Sequence, residues 1–105
     1  MNTEAKELHR KELYESLASY SFDGMTVPDH DHGGLVRYIV DGVVPGDFLQ
    51  AVLNNDLQDA VGRADDINRR AIPTIVAWLY NNAPGGSWGS KGAIERYVEA
   101  VHGDG

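Results

Sequence analysis

Apolar residues recur along this chain mostly at helical intervals. The clearest run is Leu49, Leu53, Leu57 and Val61, every fourth position, with Phe48, Val52, Ala60 and Ala64 widening the stripe. The opposite face carries Gln50, Asn54, Asn55, Asp59, Gly62 and Arg63. The spacing predicts one helix over 47–64, because the stripe stays in phase across the two asparagines. A break at Asn54-Asn55 is the alternative, since Asn favours caps and turns.

The same periodicity places the other elements. Leu13, Leu17 and Tyr20 fall on one face of a helix over 3–20, with Leu8 off the stripe. Residues 21–33 are dense in breakers and read as a loop, pinned to the core by Phe22, Met25 and Val27. A short helix follows from Gly34 to Asp41, ended by Gly42 as a left-handed cap. Pro45-Gly46 turns the chain, and Asp47 suits an N-cap or first turn. Asp65 or Asp66 caps a helix to about Asn82, with Ile67, Ala71, Ile75 and Leu79 as its stripe. Pro73 inside it predicts a kink or two abutting helices. Residues 81–86 form a loop. Ser90 is the expected N-cap of a last helix, Lys91 to His102, with Ile94, Tyr97, Val98 and Val101 inward. No alternating run is long enough for a sheet. The fold class is therefore all-α: a compact single-domain bundle of about five helices, with residues 1–31 as an N-terminal extension and 32–105 as the helical core.

Composition narrows the chemistry. The 105 residues include no cysteine, which excludes disulfides, thiolate metal sites and cysteine nucleophiles. No apolar run approaches the roughly 20 residues that span a bilayer, and the N-terminus lacks a signal-peptide apolar segment. A cytoplasmic location without membrane contact is the expectation. Sixteen acidic against nine basic residues give a net charge of −7. Phosphate binding needs clustered Lys or Arg, and only pairs such as Arg69-Arg70 are present, so a direct nucleic-acid partner is not expected. The acidic balance suits a basic protein partner, or solubility alone.

Asp29-His30-Asp31-His32 is the strongest case for site chemistry. His30 and His32 are potential metal ligands if a loop lets them converge, yet further imidazoles exist only at His9 and His102. A solvated loop or helix cap is the competing reading, and neither metal nor cofactor is expected. The acids of the central helices sit beside Arg63, Arg69 and Arg70. Asp59 and Arg63 are an i, i+4 surface pair rather than a catalytic dyad. A short carboxylate row imitating nucleic-acid phosphates is a minor alternative. Asn is costly inside a helix. Asn54 and Asn55 are therefore either internal bridges or partner contacts, and Asn68 is an internal bridge. Trp88, in a Gly-rich loop, either closes the core or anchors a partner. The Gly-rich loop lacks the following Lys-Ser/Thr of a phosphate loop.

Taken together, Arg37-Tyr38, Gly42, Pro45-Gly46, Phe48-Leu49, Ala51-Val52-Leu53, Asn55-Asp56-Leu57, Arg63-Ala64-Asp65, Asn68, Leu79-Tyr80-Asn81, Pro84 and Trp88-Gly89-Ser90 resemble a group of small phage and prophage proteins without assigned activity. Pro73 and residues 1–31 depart from the shared pattern. The resemblance implies a phage-type accessory protein acting in the bacterial cytoplasm, with no catalytic residues to carry over. The expected function is non-catalytic binding and modulation of a host or defence protein. Candidate contacts are Asn54, Asn55, Asp59, Asp66 and Trp88. A homodimeric assembly component and a metal-binding domain at Asp29–His32 are the alternatives.

Overall fold

The computed structural model describes residues 2–103. Among them, six helices and one short hairpin alternate in the order α1 (Thr3–Ser19), β1 (Ser21–Phe22), β2 (Met25–Thr26), α2 (Asp29–Asp41), α3 (Asp47–Leu53), α4 (Leu57–Arg63), α5 (Asp66–Asn82) and α6 (Ala93–Gly103). The fold is an all-α bundle with six helices rather than five.

The central helix is α2. It buries Leu35, Val36, Tyr38, Ile39 and Val40 among Leu17 of α1, Leu53 of α3, and Ile75, Trp78 and Leu79 of α5. Leu13, Leu17 and Val27 belong to this same core, so α1 and the exit of the hairpin share the packing of the rest. Two of the polar groups carried inward find partners across the core. Trp78 Nε1–H donates to Ser16 Oγ at 3.0 Å, and the Tyr38 hydroxyl donates to the Ser87 carbonyl at 2.7 Å. An Arg10–Asp41 ion pair closes α1 onto the end of α2.

Several elements differ from expectation for identifiable reasons. The helix over 47–64 is broken. Asn55 takes a left-handed φ of 60°, Asp56 N–H reaches back to Ala51 O at 2.8 Å, and the Asp56 side chain accepts from Asp59 N–H to start α4. The left-handed residue shifts the phase, so Leu57 is 67% exposed and Val61 also faces out. The loop over 21–33 is a hairpin followed by the first turn of α2. Asp23-Gly24, both at positive φ, make the two-residue turn that pairs Ser21 with Thr26 and Phe22 with Met25. Val27 is buried, but Phe22 and Met25 stand exposed rather than pinned inside.

α2 begins at Asp29, not Gly34, with Asp29 and Asp31 in its first turn. Gly34 is a packing residue: a Cβ there would meet Leu49 Cδ1 at 3.1 Å. Pro73 does not divide its helix, and α5 runs continuously to Asn82. α6 begins at Ala93, two residues later than expected. Ser90 is not its side-chain cap; Ser90 Oγ accepts from Arg96 instead.

Other boundaries stand as read. Gly42 ends α2 at φ 66° with its N–H on the Tyr38 carbonyl at 3.0 Å. Asp65 caps α5 by accepting from Asn68 N–H at 2.7 Å.

Replacing Tyr38 with Phe strips a donor from the buried Ser87 carbonyl and should cost about 1–3 kcal/mol. Urea unfolding followed by circular dichroism measures this, with the midpoint shifted and the slope unchanged.

Candidate functional site

Two regions depart from a plain structural role. The first is a polar cluster where the start of α2 meets the start of α5. Asp31 is 4% exposed, and its Oδ2 has no hydrogen-bond partner among the described residues. Burial pushes its carboxyl up to about 6; His30 and His32 draw it back, and Asp65 adds to the rise. His30 stands half exposed beside it. Its Nε2–H donates to Asn68 Oδ1 at 3.2 Å and lies 3.8 Å from both Asp31 Oδ1 and Asp65 Oδ2. Asn68 is buried here and bridges the two helices, the internal role expected of it.

His32 belongs to a different environment. Its Nε2–H donates to the Val27 carbonyl at 2.9 Å and ties α2 to the hairpin strand's exit. On a helix, positions i and i+2 point about 200° apart. The convergence of His30 and His32 that a loop would permit is thereby lost. Among the described residues, no three His, Cys, Asp or Glu side chains are placed to hold a metal ion.

The second region is the outer face of α5. Pro73, Val76, Ala77 and Tyr80 form one row, and Phe22 of the hairpin lies against it. Together with Asn81 they line an open depression of about 530 Å³. Tyr80 is 80% exposed. Val76 also borders a smaller hollow with Leu57, Ala60 and Ile72, so the apolar strip continues onto α4. Its sequence signal was the second apolar row on α5, which a single inward stripe does not require.

The residues singled out in sequence fall mostly outside this strip. Asn54 Oδ1 accepts from Ile94 N–H at 3.2 Å and caps α6 from across the fold, an internal clasp. Asn55 supplies the left-handed turn and stays exposed. Asp59 and Asp47 both hold Arg63, at 2.9 and 3.0 Å, and these contacts raise the guanidinium pKa, the Asp59 hydrogen bond foremost. Asp66 pairs with Arg69 in the exposed first turn of α5. Trp88 is half buried, packs on the core and meets Tyr80 edge-on at 6.4 Å. It thus joins the core to the α5 strip. No helix among the described residues is long and apolar enough to cross a membrane.

Compared with known proteins, the chain matches no family model, no curated protein and no solved structure.

Asp31 yields a prediction with a definite sign. Its folded pKa lies above the ordinary 3.8, so the native state binds its proton more tightly than the unfolded chain does. Its contribution is most favourable below about pH 4 and is lost as pH rises through about 6. Asp31→Asn removes that dependence. The stability of the parent relative to the variant should fall by about 2–3 kcal/mol between pH 4 and pH 7.5. Urea titrations across this range measure it, and parallel curves would contradict it.

Proposed function

We propose that the chain is a non-catalytic, phage-type accessory protein that binds and modulates a protein of the bacterial host or its defence. The observation that carries the binding reading is the exposed row Pro73, Val76 and Tyr80 beside Phe22. Monomeric proteins seldom leave a contiguous apolar strip in water without a use for it. Tyr is also enriched among the residues that dominate binding energy, because it buries a large ring and keeps a polar tip. The resemblance to small phage proteins supplies the cytoplasmic setting and the host as the source of the partner.

The site chemistry favours binding over catalysis. The raised carboxyl of Asp31 is enclosed, with no open cavity beside it for a substrate among the described pockets. The acids of the α3–α4 face are occupied by Arg63. The footprint is therefore assigned to α5 and the hairpin, with Trp88 supporting Tyr80 from behind. A homodimer through this strip would bring two chains of net charge −7 together, which argues for a partner of another kind.

Val76→Asp and Tyr80→Ala test the reading, since both side chains are exposed on the outer face of α5. Each should leave the melting temperature within a few degrees. Each should weaken capture of a host protein by the tagged chain by about 2 kcal/mol, roughly thirtyfold in Kd. Undiminished capture by both variants would remove the strip from the interface. Light scattering at high concentration should return a monomer.

A further inference from the structure

A second depression, of about 440 Å³, opens between the end of α3 and the face of α6. This is within the roughly 300–1,000 Å³ of small-ligand pockets. Its floor is apolar. Val44 is 49% exposed there, beside Ile94 and the half-buried Val98. Its wall carries Glu95 and Glu99, one turn apart on α6. At the back lies Asn54, whose side-chain oxygen is already committed to Ile94 N–H.

Neither glutamate forms an ion pair among the described residues. The arginine of the same helix does not compensate them. Arg96 is drawn back to Ser90 Oγ at 2.7 Å and to the Lys91 carbonyl at 3.1 Å. Like charges at i and i+4 repel and weaken their own helix. The contrast is with the α3–α4 face, where Arg63 pairs with both Asp47 and Asp59 within the chain. At α6 the two carboxylates stand exposed and unpaired among the described residues, open to a cation from outside.

An apolar floor with two uncompensated carboxylates at its rim matches one kind of side chain. Lysine and arginine lay a methylene stem along apolar surface and keep the cation at the edge. We propose that this cleft receives a lysine or arginine side chain from a basic segment of the protein partner. The stem lies on Val44, Ile94 and Val98, and the cation sits between Glu95 and Glu99. The assignment rests on the protein-binding reading and names the partner's chemistry. Phosphate-bearing partners are disfavoured by the same two carboxylates.

The probe is a short amphipathic lysine–leucine peptide, titrated into the isotope-labelled full chain and followed by amide chemical shifts. Saturable shifts should cluster at Val44, Asn54 and residues 94–99. The E95Q/E99Q variant should bind about tenfold more weakly. The E7Q/E12Q variant, which removes the same charge from the exposed face of α1, should stay within about twofold of the parent. Equal weakening in both variants would mean generic charge attraction and would overturn the site. Shifts confined to α5, or no saturable binding, would do the same. The Val76→Asp capture result is independent. Loss of capture there, with no lysine-peptide binding here, would sink the cleft and leave the binding reading standing.

Discussion

The hydrogen bond from the Tyr38 hydroxyl to the Ser87 carbonyl is the constraint on which the rest of the architecture hangs. Tyr38 is wholly buried on the central helix, and a buried phenol without an acceptor costs more than the bond itself would gain. Burial, and then neighbouring Tyr97, hold its proton far more tightly than an ordinary phenol's, so it remains a donor. Meeting that donor requires the segment after α5 to fold down onto α2. Once it does, Gly89 N–H reaches the Leu53 carbonyl at 2.8 Å and the chain is aimed at Asn54. α6 then starts against Asn54 and lays Tyr97 on Tyr38, ring centroids 5.0 Å apart, with its own hydroxyl on the Ile39 carbonyl. Both surfaces assigned to binding are set by this sequence of contacts. Trp88 reaches Tyr80 only because the segment is pulled in, and the α3–α6 cleft exists only because α6 is seated there.

Much of the fold was legible because local and tertiary signals agree. The inward face of α1, the Ala71, Ile75 and Leu79 row of α5, the Gly42 cap and the Asp65 cap each follow from residue type and spacing alone, whereas Ile67, the expected start of the α5 stripe, lies in the first turn and is 60% exposed. The failures share one cause: positions where a residue's local preference and its tertiary duty point in opposite directions. Gly33 reads as the end of a breaker-rich loop, yet α2 runs through it from Asp29, and Gly34 packs so closely that a Cβ would meet Leu49 Cδ1 at 3.1 Å. Leu57 and Val61 prolong a periodic stripe, but the left-handed Asn55 rotates them outward. The asparagine pair carried the correct signal. It was outweighed by a hydrophobic period that happens to continue through it. Asp23-Gly24 is a strong hairpin turn by itself, obscured because the two strands it joins are too short to alternate.

The candidate sites were less legible, because both depend on what the fold leaves uncovered. The sequence pointed to polar residues on the α3–α4 face. The structure spends most of them internally: Asn54 on α6, Asp47 and Asp59 on Arg63. A side chain already engaged inside its own fold offers a partner little that is new. Asp31 was hidden for the opposite reason. Its burial and unpartnered oxygen come from the junction of α2 and α5, and neither is written in the tetrapeptide Asp29–His32.

The outer face of α5 gathers several departures from what stability alone would select. Pro73 in the helix interior forfeits a ladder hydrogen bond and leaves the Arg69 carbonyl without its usual intrahelical donor. That penalty is lowest on an exposed face, where water or a partner can supply the donor, and Pro73 is exposed. Tyr80 holds a large ring in water two residues before the last residue of α5, although Trp88 next to it is only half covered. Phe22, at the tip of a hairpin that could have been polar, leans over the same row. Sequences generally agree with their fold at every level, and the places where they do not tend to be where function has been set against stability. Isolated, each of these residues is an ordinary surface compromise. Their convergence on one face of one helix, beside a core that Tyr38 closes through the Ser87 carbonyl, is what a preorganised binding surface requires: apolar side chains kept in place without being covered.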